Sequence, residues 1–247
     1  MVLGLRVLVT SVVRHTDQQQ ASGLVRVIDY ETKRILMKSA VPESVHRAKD
    51  PNPRGGLRGA RGVTTDGARL VIANTERLLV FDQYWKLVGD ITHPLMGGVH
   101  DILAEVDGIW ITCTNADLLL KLDWTGKMVA DWEWRVDRNL VAGFGFRGLP
   151  KVDRTLDYRD PESMRDGVRN IVHLNAVTRG PNGLLLSFGR IPSAGAHRKQ
   201  RVMSVLGQLA RPLGISSRPS TDSGSDSDCF SMPASARWSW AWCSTPP

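Results

Sequence analysis

The sequence predicts an all-β protein that is built from a repeated four-stranded unit. Residues 62–89 align without a gap with residues 103–130, an offset of 41 (62 to 103). Each copy divides into four short apolar runs, separated by turn residues such as Asp-Gly and Thr-Gly. Several runs are apolar at nearly every position, which is typical of strands covered on both faces. Four-stranded units of about 40 residues are the blades of a β-propeller, and the sequence accounts for about three and a half of them before an irregular C-terminal tail.

The first predicted blade, residues 1–41, lacks its innermost strand. The runs Leu5–Val13, Leu24–Asp29 and Arg34–Val41 correspond to the second, third and fourth strands of the repeat. In many propellers the C-terminal end of the chain supplies such a strand and closes the ring. We therefore expect either an incomplete ring or a ring that other material completes.

Two complete blades are predicted at residues 60–92 and 99–134. Their equivalent turns carry the same polar residues, which are Asp66 and Asp107, Asn74 and Asn115, and Asp82 and Asp123. Asn and Asp favour turns because their side chains hydrogen-bond to nearby backbone and tolerate left-handed geometry. We therefore predict structural roles for Asn74 and Asn115 after the second strand, and for Asp82 and Asp123 after the third.

The fourth predicted blade, residues 173–190, has two strands, His173–Arg179 and Gly183–Arg190. No later run matches a third or fourth strand, and residues 197–214 show only weak helical periodicity. Residues 191–247 are therefore predicted to be a low-complexity tail, rich in Ser and Pro from residue 216. Such a tail is either disordered or the product of a shift in the reading frame.

Composition narrows the possible partners and the location. The chain carries a formal net charge of +7, from 32 Lys and Arg against 25 Asp and Glu. These charges are spread along the chain without a dense basic block, so we predict no nucleic-acid partner. The three cysteines fit no metal or redox spacing, and no apolar stretch reaches the roughly 18 residues of a membrane-spanning helix. We predict a cytoplasmic protein with no metal site, no cofactor and no membrane partner.

Two long insertions, residues 42–59 and 135–172, place the predicted site. Both connect the fourth strand of one blade to the first strand of the next, so both lie on one face of a propeller, where long loops often carry function. Within the second insertion, residues 153–166 mix Arg with Asp and are predicted to form a solvated lid. The candidate residues on this face are His100 and His173 for catalysis, and Arg58, Arg61, Asp101, Asn115, Asn175 and Arg190 for ligand binding.

A channel mouth rich in Arg, His and Asn suits a small anionic or polyol ligand, and a protein partner is the alternative. His100 and His173 could act as general bases or nucleophiles, or they could only hydrogen-bond to adjacent loops. Adjacent residues of a strand face opposite sides, so Asp101 is not expected to orient His100. Arg58 and Arg61 could clamp an anion or belong to a solvated glycine-rich loop.

Parts of the sequence resemble known propellers over about residues 5–190. The run Leu122-Asp-Trp-Thr-Gly-Lys-Met-Val-Ala-Asp-Trp132 resembles the blade signature of quinoprotein-like propellers, and the 41-residue period is similar to that of NHL-type repeats. The first resemblance implies no cofactor, since that motif is structural. His100-Asp101-Ile102 resembles the channel-histidine region of arylsulfotransferase-like propellers. This second resemblance implies sulfuryl transfer between phenols through a histidine, with His100 in that role.

The sequence therefore predicts a propeller scaffold that binds a ligand or a protein at its channel mouth. The alternative is a hydrolase or transferase that uses His100 and His173 as acid and base, with Arg58 or Arg61 holding an anion. A further alternative is a truncated fragment without function. Convergence of His100, His173 and Arg61 on one concave pocket would favour the enzyme.

Overall fold

The computed structural model describes residues 5–13, 21–49, 59–164, 170–189 and 201–206, the last range by its backbone alone. Fourteen strands within these ranges form four antiparallel sheets. The strands are β1 (Arg6–Val12), β2 (Gly23–Asp29), β3 (Ile35–Ala40), β4 (Val63–Thr65), β5 (Leu70–Ala73), β6 (Arg77–Phe81), β7 (Leu87–Thr92), β8 (Val99–Glu105), β9 (Gly108–Cys113), β10 (Leu118–Leu122), β11 (Met128–Glu133), β12 (Leu174–Gly180), β13 (Gly183–Phe188) and β14 (Arg201–Leu206). Short helical segments are α1 (Arg138–Gly143) and the 3-10 turns Arg47–Lys49, Trp134–Val136 and Pro161–Met164.

Each sheet is a simple meander in which every strand pairs with the next one along the chain. The sheets are β1-β2-β3, β4-β5-β6-β7, β8-β9-β10-β11 and β12-β13-β14. Strands β4, β8 and β12 are the first strands of their sheets, and β4 and β12 each lie next to β8. No inner strand precedes β1 within the described ranges. Sheets of three, four, four and three strands are equivalent to three and a half four-stranded blades.

The hydrophobic core lies between successive sheets, as in a propeller. Leu8 and Val25 of the first sheet pack against Ile72 and Leu79 of the second. A second cluster joins the second and third sheets through Val71, Leu78, Ile111 and Leu120, and a third joins the third and fourth sheets through Trp110, Leu119, Leu174 and Leu186. Successive residues of β6 thus face different neighbours. This arrangement of four sheets is a partial β-propeller, as the sequence predicts.

The polar turn residues have the structural roles that the repeat indicates. The Asp82 carboxylate accepts the backbone N–H groups two and four residues later, and Asp123 does the same in the next blade. The buried Asn74 side chain accepts two backbone N–H groups of its own turn and donates to the carbonyl oxygen of Pro42. These bonds close the turns whose residues recur at the 41-residue offset.

Strand β14 differs from the sequence prediction for residues 197–214. The weak helical periodicity there is replaced by a strand that pairs with β13 along its whole length, from Gly183–Leu206 to Phe188–Arg201. A short apolar run such as Val202–Leu206 fits either period, so periodicity alone does not separate helix from strand. The backbone groups on the outer edge of β13 gain hydrogen-bond partners from β14. The remainder of residues 191–247 lies outside the described residues.

The second insertion is partly a packed element rather than a solvated lid. Val141 and Phe144 pack with the fully buried Trp134 in the core between the third and fourth sheets. Tyr158, which the sequence places in the predicted lid, is buried and donates its backbone N–H to the carbonyl oxygen of Pro94. The lid prediction is therefore wrong for the segment around Tyr158. None of the described helices is long and apolar enough to cross a membrane.

Candidate functional site

The described parts of the two insertions and the turns between second and third strands lie on one face, which we call the mouth face. Asn74, in the turn after β5, contacts the first insertion through Pro42. Asn115, in the turn after β9, donates its side-chain N–H to the carbonyl oxygen of Tyr158 in the second insertion at 3.2 Å. The insertions also touch each other, since Lys49 Nζ lies 3.0 Å from a carboxylate oxygen of Asp160.

Strand β8 begins with a β-bulge that contains two candidate residues. Val99 pairs with Cys113 and Ile102 with Ile111, so His100 and Asp101 lie together opposite Thr112. The Thr112 hydroxyl accepts the Asp101 N–H at 2.9 Å and donates to the Asp101 carbonyl oxygen at 3.2 Å. A bulge interrupts the alternation of side chains and changes their direction. The prediction that Asp101 and His100 face opposite sides assumed the regular side-chain alternation of a strand. The bulge interrupts that alternation at these two residues.

His100 and His173 are neighbours although they come from different blades. Their ring centroids are 4.7 Å apart, and the ring planes meet at 76° in an edge-to-face arrangement. His173 directly precedes β12 and has a left-handed backbone, with φ of 55°. A non-glycine residue with positive φ persists only where its surroundings hold it, and such residues cluster at functional sites.

Two residues that the sequence analysis missed hold His173. Its Nδ1 lies 2.7 Å from Oδ1 of Asn170, which also has a positive φ, of 53°. The Asp117 carboxylate accepts the backbone N–H groups of Ile171, Val172 and Leu174, and so fixes the backbone on both sides of His173. No motif marks Asn170 or Asp117 in the sequence, because these contacts depend on how the second insertion returns to the propeller.

Asp117 is itself fully buried, with Arg135 as its ion-pair partner at 3.6 Å. Burial raises the pKa of Asp117, and its backbone hydrogen bonds and the Arg135 charge oppose that rise. Arg135 also donates to the carbonyl oxygens of Ala116 and Pro150. Removing one partner of a buried, hydrogen-bonded ion pair strongly destabilises a folded protein. The Asp117–Arg135 pair therefore supports the backbone that holds His173.

Arg61 reaches the start of β8 from the neighbouring blade. Its guanidinium Nη1 lies 3.4 Å from the carbonyl oxygen of Val99, the residue before His100. Its backbone N–H donates to the carbonyl oxygen of Ala73, and the Ala73 N–H donates to the carbonyl oxygen of Gly62. Arg61 and Gly62 therefore lie together opposite Ala73. Arg61, His100 and His173 therefore stand at the starts of three consecutive inner strands. Arg61 contacts the residue before His100, and the His100 ring contacts the His173 ring.

The Asp101 carboxylate faces the seam between β8 and β12. Its Oδ2 accepts the backbone N–H of Val177 at 3.0 Å. Burial raises the pKa of Asp101 to about 6, although hydrogen bonds from the N–H groups of Val177 and Ile102 lower it. A carboxyl in this state ties two blades together and changes charge near neutral pH.

The remaining predicted residues divide into three groups. Asn175 is the extra residue of a bulge at the start of β12, where Leu174 pairs with Phe188 and Ala176 with Ser187. Asn115 anchors the second insertion, as described above. Arg58 and Arg190 lie outside the described residues.

Two further features bear on chemistry. In the part of the chain that the structure describes, no cluster of three or more His, Cys, Asp and Glu side chains could hold a metal ion. A cavity of about 540 Å³ lies at the outer edge of the third blade, away from the histidines, and is lined by Asp131, Trp132, Glu133, Val136, Lys151, Val152, Asp153 and Arg154. Arg154 bridges Asp131 at 2.6 Å and Glu133 at 3.5 Å within it. This ion-pair network explains the polar lining of that cavity.

Comparisons with known proteins assign the chain to no family. No protein-family model and no curated protein matches the chain. Among solved structures, the Pan2 WD40 domain of Neurospora crassa is 7% identical over 72% of this chain and 43% of its own, with a TM-score of 0.40. The glutaminyl cyclase of Myxococcus xanthus is 14% identical over 67% and 59%, with a TM-score of 0.38. Sqt1 of Saccharomyces cerevisiae is 15% identical over 44% and 27%, with a TM-score of 0.33.

The chain thus spans between 27% and 59% of the length of these three structures. Likeness at these identities and TM-scores carries no argument for a family or a function. The propeller assignment rests on the strand order and on the packing of the four sheets.

Proposed function

We propose that the mouth face binds a small anion, or an anionic group of a larger ligand, between Arg61, His100 and His173. The observation that carries the proposal is the contact between the two imidazoles, with the Arg61 guanidinium 3.4 Å from the carbonyl oxygen of Val99, the residue before His100. Guanidinium and imidazolium N–H groups are the donors that bind sulfate, phosphate and carboxylate oxygens most strongly. The scaffold is the partial propeller, and all three residues lie at or just before the starts of its inner strands.

The preorganisation of the donors supports this proposal. Bulges in β8 and β12 set the directions of His100 and Asn175, and the buried Asp117 holds the backbone beside His173. Donors that are already in place bind an anion without a large loss of conformational entropy. Asp101, the nearby carboxylate of the strand, already accepts the Val177 N–H.

The test is a titration of the histidine-labelled full chain with inorganic phosphate, followed by NMR of the imidazole signals. We expect saturable shifts of the His100 and His173 signals, with those of His46 and His93 as internal controls because these residues lie in other loops. Arg61→Gln should weaken binding by about tenfold, since one charge-assisted hydrogen bond contributes roughly 1.5 kcal/mol or more. The matched control is Arg179→Gln, which removes an equal charge at the far end of β12.

Equal weakening by the two variants would show a general charge effect and would contradict a site at Arg61. Shifts confined to His46 or His93 would place the anion elsewhere. A titration without saturation would contradict the binding proposal altogether.

A second candidate function is group transfer through a histidine, which the contact between His100 and His173 favours. Two adjacent imidazoles can supply a nucleophile and a proton donor, and His100 is the residue to which the arylsulfotransferase-like resemblance assigns that role. The assay is release of 4-nitrophenol from 4-nitrophenyl sulfate with a phenol as acceptor. Activity that His100→Gln abolishes, in a variant that still unfolds cooperatively, would support transfer. Absence of release above the uncatalysed rate would leave binding as the function.

A further inference from the structure

The inner-strand start of the fourth blade contains a histidine whose ring is held from three sides. Asn170 contacts the Nδ1 of His173 at 2.7 Å. The His100 ring lies against it edge-to-face. Gly189 closes the third side, because a Cβ at Gly189 would lie 2.9 Å from Cδ2 of His173. The ring therefore has little freedom to rotate away from Asn170.

We propose that Asn170 is a positioning residue that holds His173 with its proton on Nδ1, so that Nε2 is the nitrogen that gains or loses a proton at the site. An amide oxygen only accepts hydrogen bonds, so the Asn170 Oδ1 contact requires Nδ1 to be the donor. In histidines that act as bases or ligands, the partner of one ring nitrogen sets the role of the other. This inference deepens the proposed anion site and rests on it for its functional meaning.

The backbone around this pair is consistent with a dedicated support. Asn170 and His173 both adopt left-handed φ values, of 53° and 55°. Asn and His adopt this conformation more readily than most residues, but it still costs free energy that neighbouring contacts must offset. Those contacts come from Asp117, which accepts the N–H groups of Ile171, Val172 and Leu174, and from Gly189, whose N–H donates to the His173 carbonyl oxygen at 2.8 Å.

The consequence for ligand chemistry follows from the assignment of the two nitrogens. With Nδ1–H engaged by Asn170 in both charge states, protonation adds its N–H at Nε2, which then donates to an anion oxygen. In the neutral ring Nε2 is an acceptor instead and suits the hydroxyl or the protonated acid of a ligand. When His173 is protonated, the site therefore favours a ligand that carries a singly or doubly charged oxyanion group over a neutral polyol.

The experiment measures the His173 tautomer directly, by long-range ¹H–¹⁵N NMR of the histidine-labelled full chain above the pH at which the ring titrates. His173→Gln identifies the signal. We expect the Nδ1–H tautomer in the wild type. Asn170→Gly removes the acceptor without straining the left-handed backbone, so it should shift the ring toward the Nε2–H tautomer that free histidine favours. Asn170→Asp keeps an oxygen acceptor and should retain Nδ1–H.

The same samples are then brought below the pH at which the imidazoles titrate, where Nε2 of His173 carries a proton in every variant, and are titrated with inorganic phosphate. Asn170→Gly should weaken binding by about two- to tenfold, the worth of one hydrogen bond, and Asn170→Asp should leave the tautomer unchanged. Urea unfolding of each variant checks that the propeller remains folded. A wild-type Nε2–H tautomer, or an Asn170→Gly variant with unchanged tautomer and affinity, would overturn the positioning role. The expected tautomers together with no phosphate shift at His100 or His173 would uphold the positioning role and overturn the anion site.

Discussion

Replacing Asp101 with asparagine should stabilise the protein at neutral pH and leave it unchanged in acid. Burial raises the pKa of Asp101 from an ordinary 3.8 to about 6. The folded protein therefore keeps this proton to higher pH than the unfolded chain does, so the wild type loses stability as the pH rises from about 4 through 6. Asparagine cannot ionise, and its side-chain oxygen can still accept the Val177 N–H.

The magnitude follows from the size of the pKa change. Each step of one in pKa corresponds to about 1.4 kcal/mol, so the rise from 3.8 to about 6 corresponds to about 3 kcal/mol at pH 7.5. Part of the Asp101 side chain contacts solvent, which reduces the effect. We expect Asp101→Asn to raise the free energy of unfolding by about 1 to 3 kcal/mol at pH 7.5 and by less than about 0.5 kcal/mol at pH 4.

The assay is urea unfolding followed by tryptophan fluorescence at pH 4, 5.5 and 7.5, and the quantity compared is the difference between variant and wild type. Asp107→Asn is the control of opposite sign. A hydrogen bond from Lys121 lowers the pKa of Asp107, so that variant should lose stability at neutral pH and regain it in acid. A difference between Asp101→Asn and wild type that does not change with pH would refute the account of a buried, weakly acidic carboxyl.

Three further predictions concern other parts of the chain. Asn74→Ala should destabilise the protein by roughly 2 kcal/mol, measured by urea unfolding, because it leaves buried N–H groups of its turn without their acceptor. Gly189→Ala should push the His173 ring out of place and weaken phosphate binding by at least the factor expected for Asn170→Gly, since the new Cβ would lie 2.9 Å from that ring. Cys113 is fully buried and burial raises the pKa of its thiol, so peptide mapping after iodoacetamide at pH 8 should find it unmodified until urea unfolds the chain.

The repeat made most of the fold predictable from sequence. Side chains alternate along a strand, and residues 41 apart occupy equivalent positions in equivalent strands. Their side chains therefore point to the same face of their sheets. Leu79 and Leu120 both pack toward the preceding blade, whereas Leu78 and Leu119 pack toward the following one. Strand β14 could not be predicted in this way because its residues lie beyond the aligned repeats. Its short apolar run also fits a helix.

The candidate site was predictable only in part. Connections in a propeller place inner-strand starts on one face, so the sequence could bring Arg61, His100 and His173 together. The bulge at His100 and Asp101 could not be predicted, because it depends on which residue of β9 lies opposite, and Thr112 closes it with its hydroxyl. The support of His173 could not be predicted either, because it comes from how the second insertion packs.

If Arg61, His100 and His173 form one anion site at the mouth face, an anion should bind between them in a crystal. The measurement is anomalous diffraction from crystals of the full chain soaked in tungstate, because this anion resembles sulfate and its tungsten atom is located by its anomalous signal. We expect an anomalous peak whose anion lies within hydrogen-bonding distance of the Arg61 guanidinium and of an imidazole nitrogen of His100 or His173, and loss of that peak in Arg61→Gln crystals. Peaks only at other basic side chains, with none between these three residues, would contradict it.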